Sequence, residues 1–179
     1  LGVQVADHEY DLVGGSKKVI KDPNNPNQKH HYDFDIWTDA LKMYGHKLPK
    51  NIVVYGELVG YVPGGGPIQK GHTYDEVPDD YHLYVYRVAI VTEDGGLYDL
   101  SWDAVRDFCQ RHGFDHVPEL DRMPKAVFDA SEYEEKNFRL EYITSALNGD
   151  PAYRDTPVRL SDGGTGVDEG VAIRVERGI

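Results

Sequence analysis

The segment Val53–Gly60, VVYGELVG, decides how this chain reads. Val53, Val54 and Tyr55 have strong β propensity, and Leu58 and Val59 continue the run. Inside it sit Gly56 and the carboxylate of Glu57. A charge in an apolar run is costly to bury without a partner. Glycine beside it lets another group approach the backbone closely. The same pairing recurs in Asp168–Val175, DEGVAIRV, as Glu169 and Gly170. Two such strands in one short chain point to a polar ligand held between strands.

Working outward, Leu1–Asp7 and Tyr10–Val13 alternate roughly and read as a short antiparallel pair. Gly14–Lys29, broken by Gly14, Gly15, Pro23 and Pro26, reads as a loop. Asp33–Tyr44 puts Phe34, Trp37, Leu41 and Tyr44 on one helical face, with Asp33 as its cap. Ile52–Tyr61 is then a strand, and Val62–Asp80 a polar, glycine-rich connection. Leu83–Val91, LYVYRVAIV, is a second strand, and Glu93–Gly96 turns into Leu97–Leu100. Ser101 caps a helix to His112 that turns Trp102, Val105, Phe108 and Cys109 to one side. Tyr133–Leu147 reads as a further helix ended by Asn148 and Gly149, and the glycine-rich Ser161–Gly166 precedes the last strand. Antiparallel-type strands with separate helices define an α+β protein.

A chain of 179 residues is one domain, or one domain and part of another. Its 40% hydrophobic and 11% aromatic content fit an ordinary folded protein. No run approaches the roughly 18 apolar residues of a membrane span, and Leu1–Tyr10 lacks the pattern of a signal peptide. A start at Leu1 rather than methionine reads as a fragment or a processed product. Cys109 is the single cysteine, which excludes an internal disulfide and a cysteine-based zinc site. Its helical position marks it as a packed thiol. The net charge of −12 argues against a broad basic face for nucleic acid but not against a local basic cleft.

Several motifs fail on their chemistry. Pro63–Gly71, PGGGPIQKG, suggests a phosphate loop, but Lys70 is followed by Gly71 and His72 rather than by Ser or Thr leading into a helix. No histidine pair has the helical spacing of a metalloprotease, and no G-x-S-x-G is present.

The informative signal is an ordered set: Tyr55–Leu58 (YGEL), Gly66–Lys70 (GPIQK), Leu83–Val88 (LYVYRV) and Asp168–Arg174 (DEGVAIR). In this order and at these spacings it resembles the covalent nucleotidyltransferase superfamily of ligases and capping enzymes. The nearest pattern is the RNA ligase family of the phage T4 RNA ligase 2 type, with its VFGEFAG, GIQK, FYVFDI and EGYVLK segments. The resemblance covers most of the chain from Val13 onward and weakens through Asp121–Thr156. It implies an α+β, ATP-grasp-like nucleotidyltransferase domain of antiparallel sheets flanked by helices. Residues 1–179 would then be a partial adenylyltransferase domain, from the motif Ia region to motif IV.

By that resemblance Glu57 contacts the nucleotide ribose and Tyr86 stacks on adenine. Glu169 lies near the α-phosphate and a divalent magnesium or manganese ion. Lys17 or Lys18 faces the phosphates. Arg87 departs from the pattern, standing where the relatives have aspartate. The implied activity is ATP-dependent joining of RNA 3′-hydroxyl and 5′-phosphate ends, on RNA or a nicked duplex containing RNA, in the cytoplasm of a bacterial or phage-infected cell. The lysine that takes AMP in such enzymes belongs to a K-x-D/H-G motif, and none of the ten lysines here is followed by x-Asp/His-Gly. By family spacing it belongs just before Leu1, and the paired lysines of motif V after Ile179. The chain alone is therefore expected to be inactive. The alternative is a non-catalytic nucleotide-binding or interaction module that reuses the ligase fold.

Overall fold

Strands form where β-branched and aromatic residues cluster. The computed structural model describes residues 2–6, 9–16, 20–21, 34–74, 77–119, 122, 158–159, 165–166, 174 and 176. The chain divides into two units, Leu1–Val117 and Pro118–Ile179.

In the first unit, β1 (Gly2–Ala6) and β2 (Glu9–Gly15) form the expected antiparallel pair. The second strand runs further than the sequence suggested. Gly14 and Gly15 do not open a loop but pair with Lys21 and Ile20 of β3 (Ile20–Lys21). Turn-forming residues were overridden there by a partner strand that local preference does not reveal. β1 meets β4 (Ile52–Gly60), and β4 pairs along its length with β5 (Tyr81–Val91). The short β6 (Leu97–Asp99) continues the sheet antiparallel to β5. Helix α2 (Trp102–His112) then returns the chain to β7 (Asp115–His116), which lies parallel to β5. The sheet is therefore mixed rather than purely antiparallel. A helical crossover is the ordinary way to join parallel strands.

Helix α1 (Ile36–Tyr44) starts at Asp35, not at Asp33, which lies outside the described residues. The Asp35 carboxylate accepts from Thr38 N at 3.2 Å and from Thr38 Oγ1 at 2.6 Å. The helix buries Ile36, Ala40, Leu41 and Tyr44. Of the other residues expected on that face, Trp37 lies on the helix and Phe34 precedes it, and both pack half-buried against the core. Two hydroxyls hold α1 to β5. Tyr81 donates to Asp39 at 2.7 Å, and Tyr44 accepts from Leu83 N at 3.3 Å. Gly45 follows α1 in a 3-10 turn, where an added Cβ would collide with the Leu12 side chain of β2. Ser101 caps α2 by accepting from Ala104 N, and Gly113 ends it with φ 69°. Val105, Phe108 and Cys109 enter the core with Val54, Val85 and Val88.

In the second unit, β8 (Val158–Arg159) pairs with β9 (Thr165–Gly166), and Arg174 Nε bonds Glu176 Oε1 at 2.6 Å. The expected helix Tyr133–Leu147 lies outside the described residues, as does the expected last strand except Arg174, which is not in a strand. Among the described residues no helix is long and apolar enough to cross a membrane.

Candidate functional site

The β4–β5 ladder contains one irregularity, and the site is built on it. Tyr55 faces Arg87, but Gly56 faces Val85, so Tyr86 has no opposite number. This is a β-bulge, which locally bends a strand and re-aims a side chain. Burial records the extra residue. Val85 and Val88 both point inward at 0% exposure, three positions apart instead of two. Tyr86, between them, stands 46% exposed.

Gly56 matters here for a different reason than the sequence implied. A Cβ on Gly56 would lie 2.7 Å from Leu83 Cδ1 and 2.7 Å from the Tyr84 carbonyl oxygen. The glycine is required by the close approach of β5 itself. The next residue, Glu57, is exposed rather than buried in an apolar run. Its carboxylate has no ion pair or hydrogen bond to any described residue.

Glu57 and Tyr86 line one cavity of about 380 Å³. Its other walls are Gly56 and Leu58 from β4, Ile36 and Trp37 from the first turn of α1, and Ile68 from the connection after β4. That connection folds back on the strand. Ile68 N donates to the Gly60 oxygen at 2.8 Å, and Gly64 N donates to Asp79 Oδ1 at 2.6 Å. Residues 67–74 form isolated bridges and turns, not the helix a phosphate loop needs. The phenol of Tyr86 makes no hydrogen bond among the described residues. A concave site with apolar walls, one free carboxylate and exposed aromatic surface suits a small polar ligand with a flat apolar part.

Arg87 does not share this cavity. Its guanidinium lies 4.4 Å from the centre of the Tyr55 ring, and its Nε donates to Asp99 Oδ1 at 2.7 Å. The Asp99 carboxylate raises its pKa further. The residue that departs from the ligase pattern is thus occupied by a strand-to-strand contact.

Lys17, Lys18 and Glu169 lie outside the described residues. Of the sequence-derived site residues, Glu57 and Tyr86 are therefore the two that can be placed, and they meet in one cavity. Sequence reasoning missed Trp37 and Ile68 as lining residues. Trp37 shares the helical period of Leu41 and Tyr44 and packs against the core as well as lining the cavity, so the period alone does not reveal the second role. Among the described residues no group of three or more His, Cys, Asp or Glu side chains could hold a metal ion.

An α+β domain with a carboxylate-and-aromatic cavity between a helix and a bulged strand pair has the general form of a small-ligand site. The family is specific: the chain matches the family model for RNA ligase over residues 3–179 and belongs to that family. No curated protein matches it. No solved structure matches it either.

Proposed function

We propose that this chain carries the nucleotide pocket of an ATP-dependent RNA ligase with a nucleotidyltransferase fold. Such an enzyme seals 3′-hydroxyl and 5′-phosphate ends in three transfers. A lysine amine attacks the α-phosphate of ATP, forming lysyl-AMP and releasing pyrophosphate. The AMP passes to the 5′-phosphate end, and the 3′-hydroxyl then attacks that end and releases AMP. In this reading Glu57 accepts hydrogen bonds from the ribose hydroxyls, which a carboxylate does well. Tyr86 stacks on the adenine. Glu169 serves the α-phosphate and a divalent cation, and Lys17 or Lys18 the phosphates. No described cluster fits that cation. The nucleophilic lysine has no K-x-D/H-G match among these residues.

The observation that carries the reading is the shared cavity of Glu57 and Tyr86 in a chain of this family. The two residues are 29 positions apart in sequence, and each has its polar group unpaired among the described residues. The test is calorimetric titration with AMP and ATP, together with transfer of label from α-labelled ATP to the natural full-length protein. Glu57→Ala and Tyr86→Ala should each weaken AMP binding, Tyr86→Ala by about 5- to 100-fold if stacking contributes its usual share. Binding unchanged in both variants removes these residues from the site. Nucleotide binding without a protein–AMP adduct would instead favour the non-catalytic module.

A further inference from the structure

We infer that Trp37 is a third ligand-contacting residue of this cavity, forming its helix-borne wall against the base and donating its indole N–H to a ring nitrogen. The inference rests on the nucleotide reading above.

Trp37 lines the cavity together with Glu57 and Tyr86. Ile36 beside it meets the cavity from the core side at 1% exposure, and Ala40, one turn on, is buried at 1%. Its indole N–H donates no hydrogen bond among the described residues. A half-buried indole that packs on the core, lines a cleft and has an unmatched donor has an apolar face and one polar point to offer. A heterocycle with a ring-nitrogen acceptor matches both.

The charge at this end of the cavity selects the base rather than the phosphates. A helix N-terminus ordinarily favours an anion. Here the Asp35 carboxylate already sits at that pole, bonded to Thr38 N and Thr38 Oγ1. A second negative group beside it is repelled. The first turn of α1 is thus prepared for a neutral group. Adenine offers unprotonated ring nitrogens and a two-ring face, whereas uracil offers a smaller ring with carbonyl oxygens outside it, so Trp37 should favour AMP over UMP.

The test uses two readouts. In protein carrying Trp102→Phe, the tryptophan emission excited at the red edge of absorption, where tyrosine does not absorb, comes from Trp37, the other of the chain's two tryptophans. AMP should change it. Trp37→Phe keeps an aromatic face but removes the donor, and should weaken AMP binding about 3- to 10-fold and UMP binding less, lowering the AMP preference. Trp37→Leu removes the ring and should weaken AMP about 5- to 100-fold. A purely structural role would lower AMP and UMP together and leave their ratio at the wild-type value. The inference is overturned if AMP binds by calorimetry, depends on Glu57, and neither the emission nor the AMP/UMP ratio responds to Trp37. If wild-type protein binds neither AMP nor ATP, the nucleotide reading itself falls and this inference with it. Circular dichroism checks folding, and if Trp37→Leu is unfolded, Trp37→Phe decides.

Discussion

Gly56→Ala separates two explanations of a glycine beside a ligand-facing glutamate. If the ligand needs the space, alanine harms binding and leaves the empty protein alone. If β5 needs it, alanine harms the empty protein first. The distances favour the second. The new Cβ would sit 2.7 Å from Leu83 Cδ1, a side-chain end that can rotate, and 2.7 Å from the Tyr84 carbonyl, which cannot move without β5. Overpacking of this kind costs about 1–3 kcal/mol. In a domain of this size each kcal/mol lowers Tm by about 2–4 °C. Since the displaced backbone adjoins the bulge at Tyr86, the aromatic loses its aim as well. AMP affinity should fall by about 5- to 100-fold, the share that base stacking supplies. Urea denaturation without nucleotide measures the first effect and calorimetry the second. Unchanged stability in the empty protein, within about 0.5 kcal/mol, would refute the strand-packing argument whatever happens to binding.

Two further outcomes follow from the core. Burial in α2 pushes the Cys109 thiol from its ordinary 9.0 up to about 11. The folded protein therefore holds this proton more tightly than the unfolded chain, so the contribution is intact below pH 9 and is lost as pH rises toward 11. Stability measured by urea should decline over that window, and the thiol should resist alkylation at pH 8 until denaturant is added; rapid labelling of native protein would contradict the burial. Burial and the Asp39 carboxylate likewise raise Tyr81. Tyr81→Phe loses the 2.7 Å bond that pins α1 to β5, at a cost of about 1–2 kcal/mol, low in the range for a bond to a charged group because Asp39 is half-exposed and can rehydrate. Since α1 carries Trp37, nucleotide affinity should fall with it; equal stability of the phenylalanine variant would show the bond contributes nothing.

The β4–β5 pair and the helix α2 were legible because their information is local. VVYGELVG and LYVYRVAIV declare themselves by side-chain type, and Ser101 and Gly113 bracket α2 by capping chemistry. Gly14 and Gly15 were not legible, because their place in β2 depends on Ile20 and Lys21 arriving opposite them. The cap of α1 was displaced from Asp33 to Asp35, a choice between two acids that only the geometry of Thr38 resolves. The site divides the same way. Glu57 and Tyr86 were visible as residues of an ordered motif. What joins them was not, since a register shift belongs to a pair of strands and to neither alone.

That register shift explains why the motif has the form it has. Without the extra residue, Tyr86 would fall into the ordinary alternation of β5 beside two inward valines. The bulge lets Val85 and Val88 both face the core while Tyr86 and Arg87 are left outside it. Arg87 is then taken up by Asp99 and Tyr55, and Tyr86 is left lining the cavity. For the bulge to form, β4 must tolerate the Tyr84 carbonyl against its own backbone, and at Gly56 it does. The glycine that looked like room for a ligand is room for a strand, and that strand's displacement makes the place where the glutamate and the tyrosine meet.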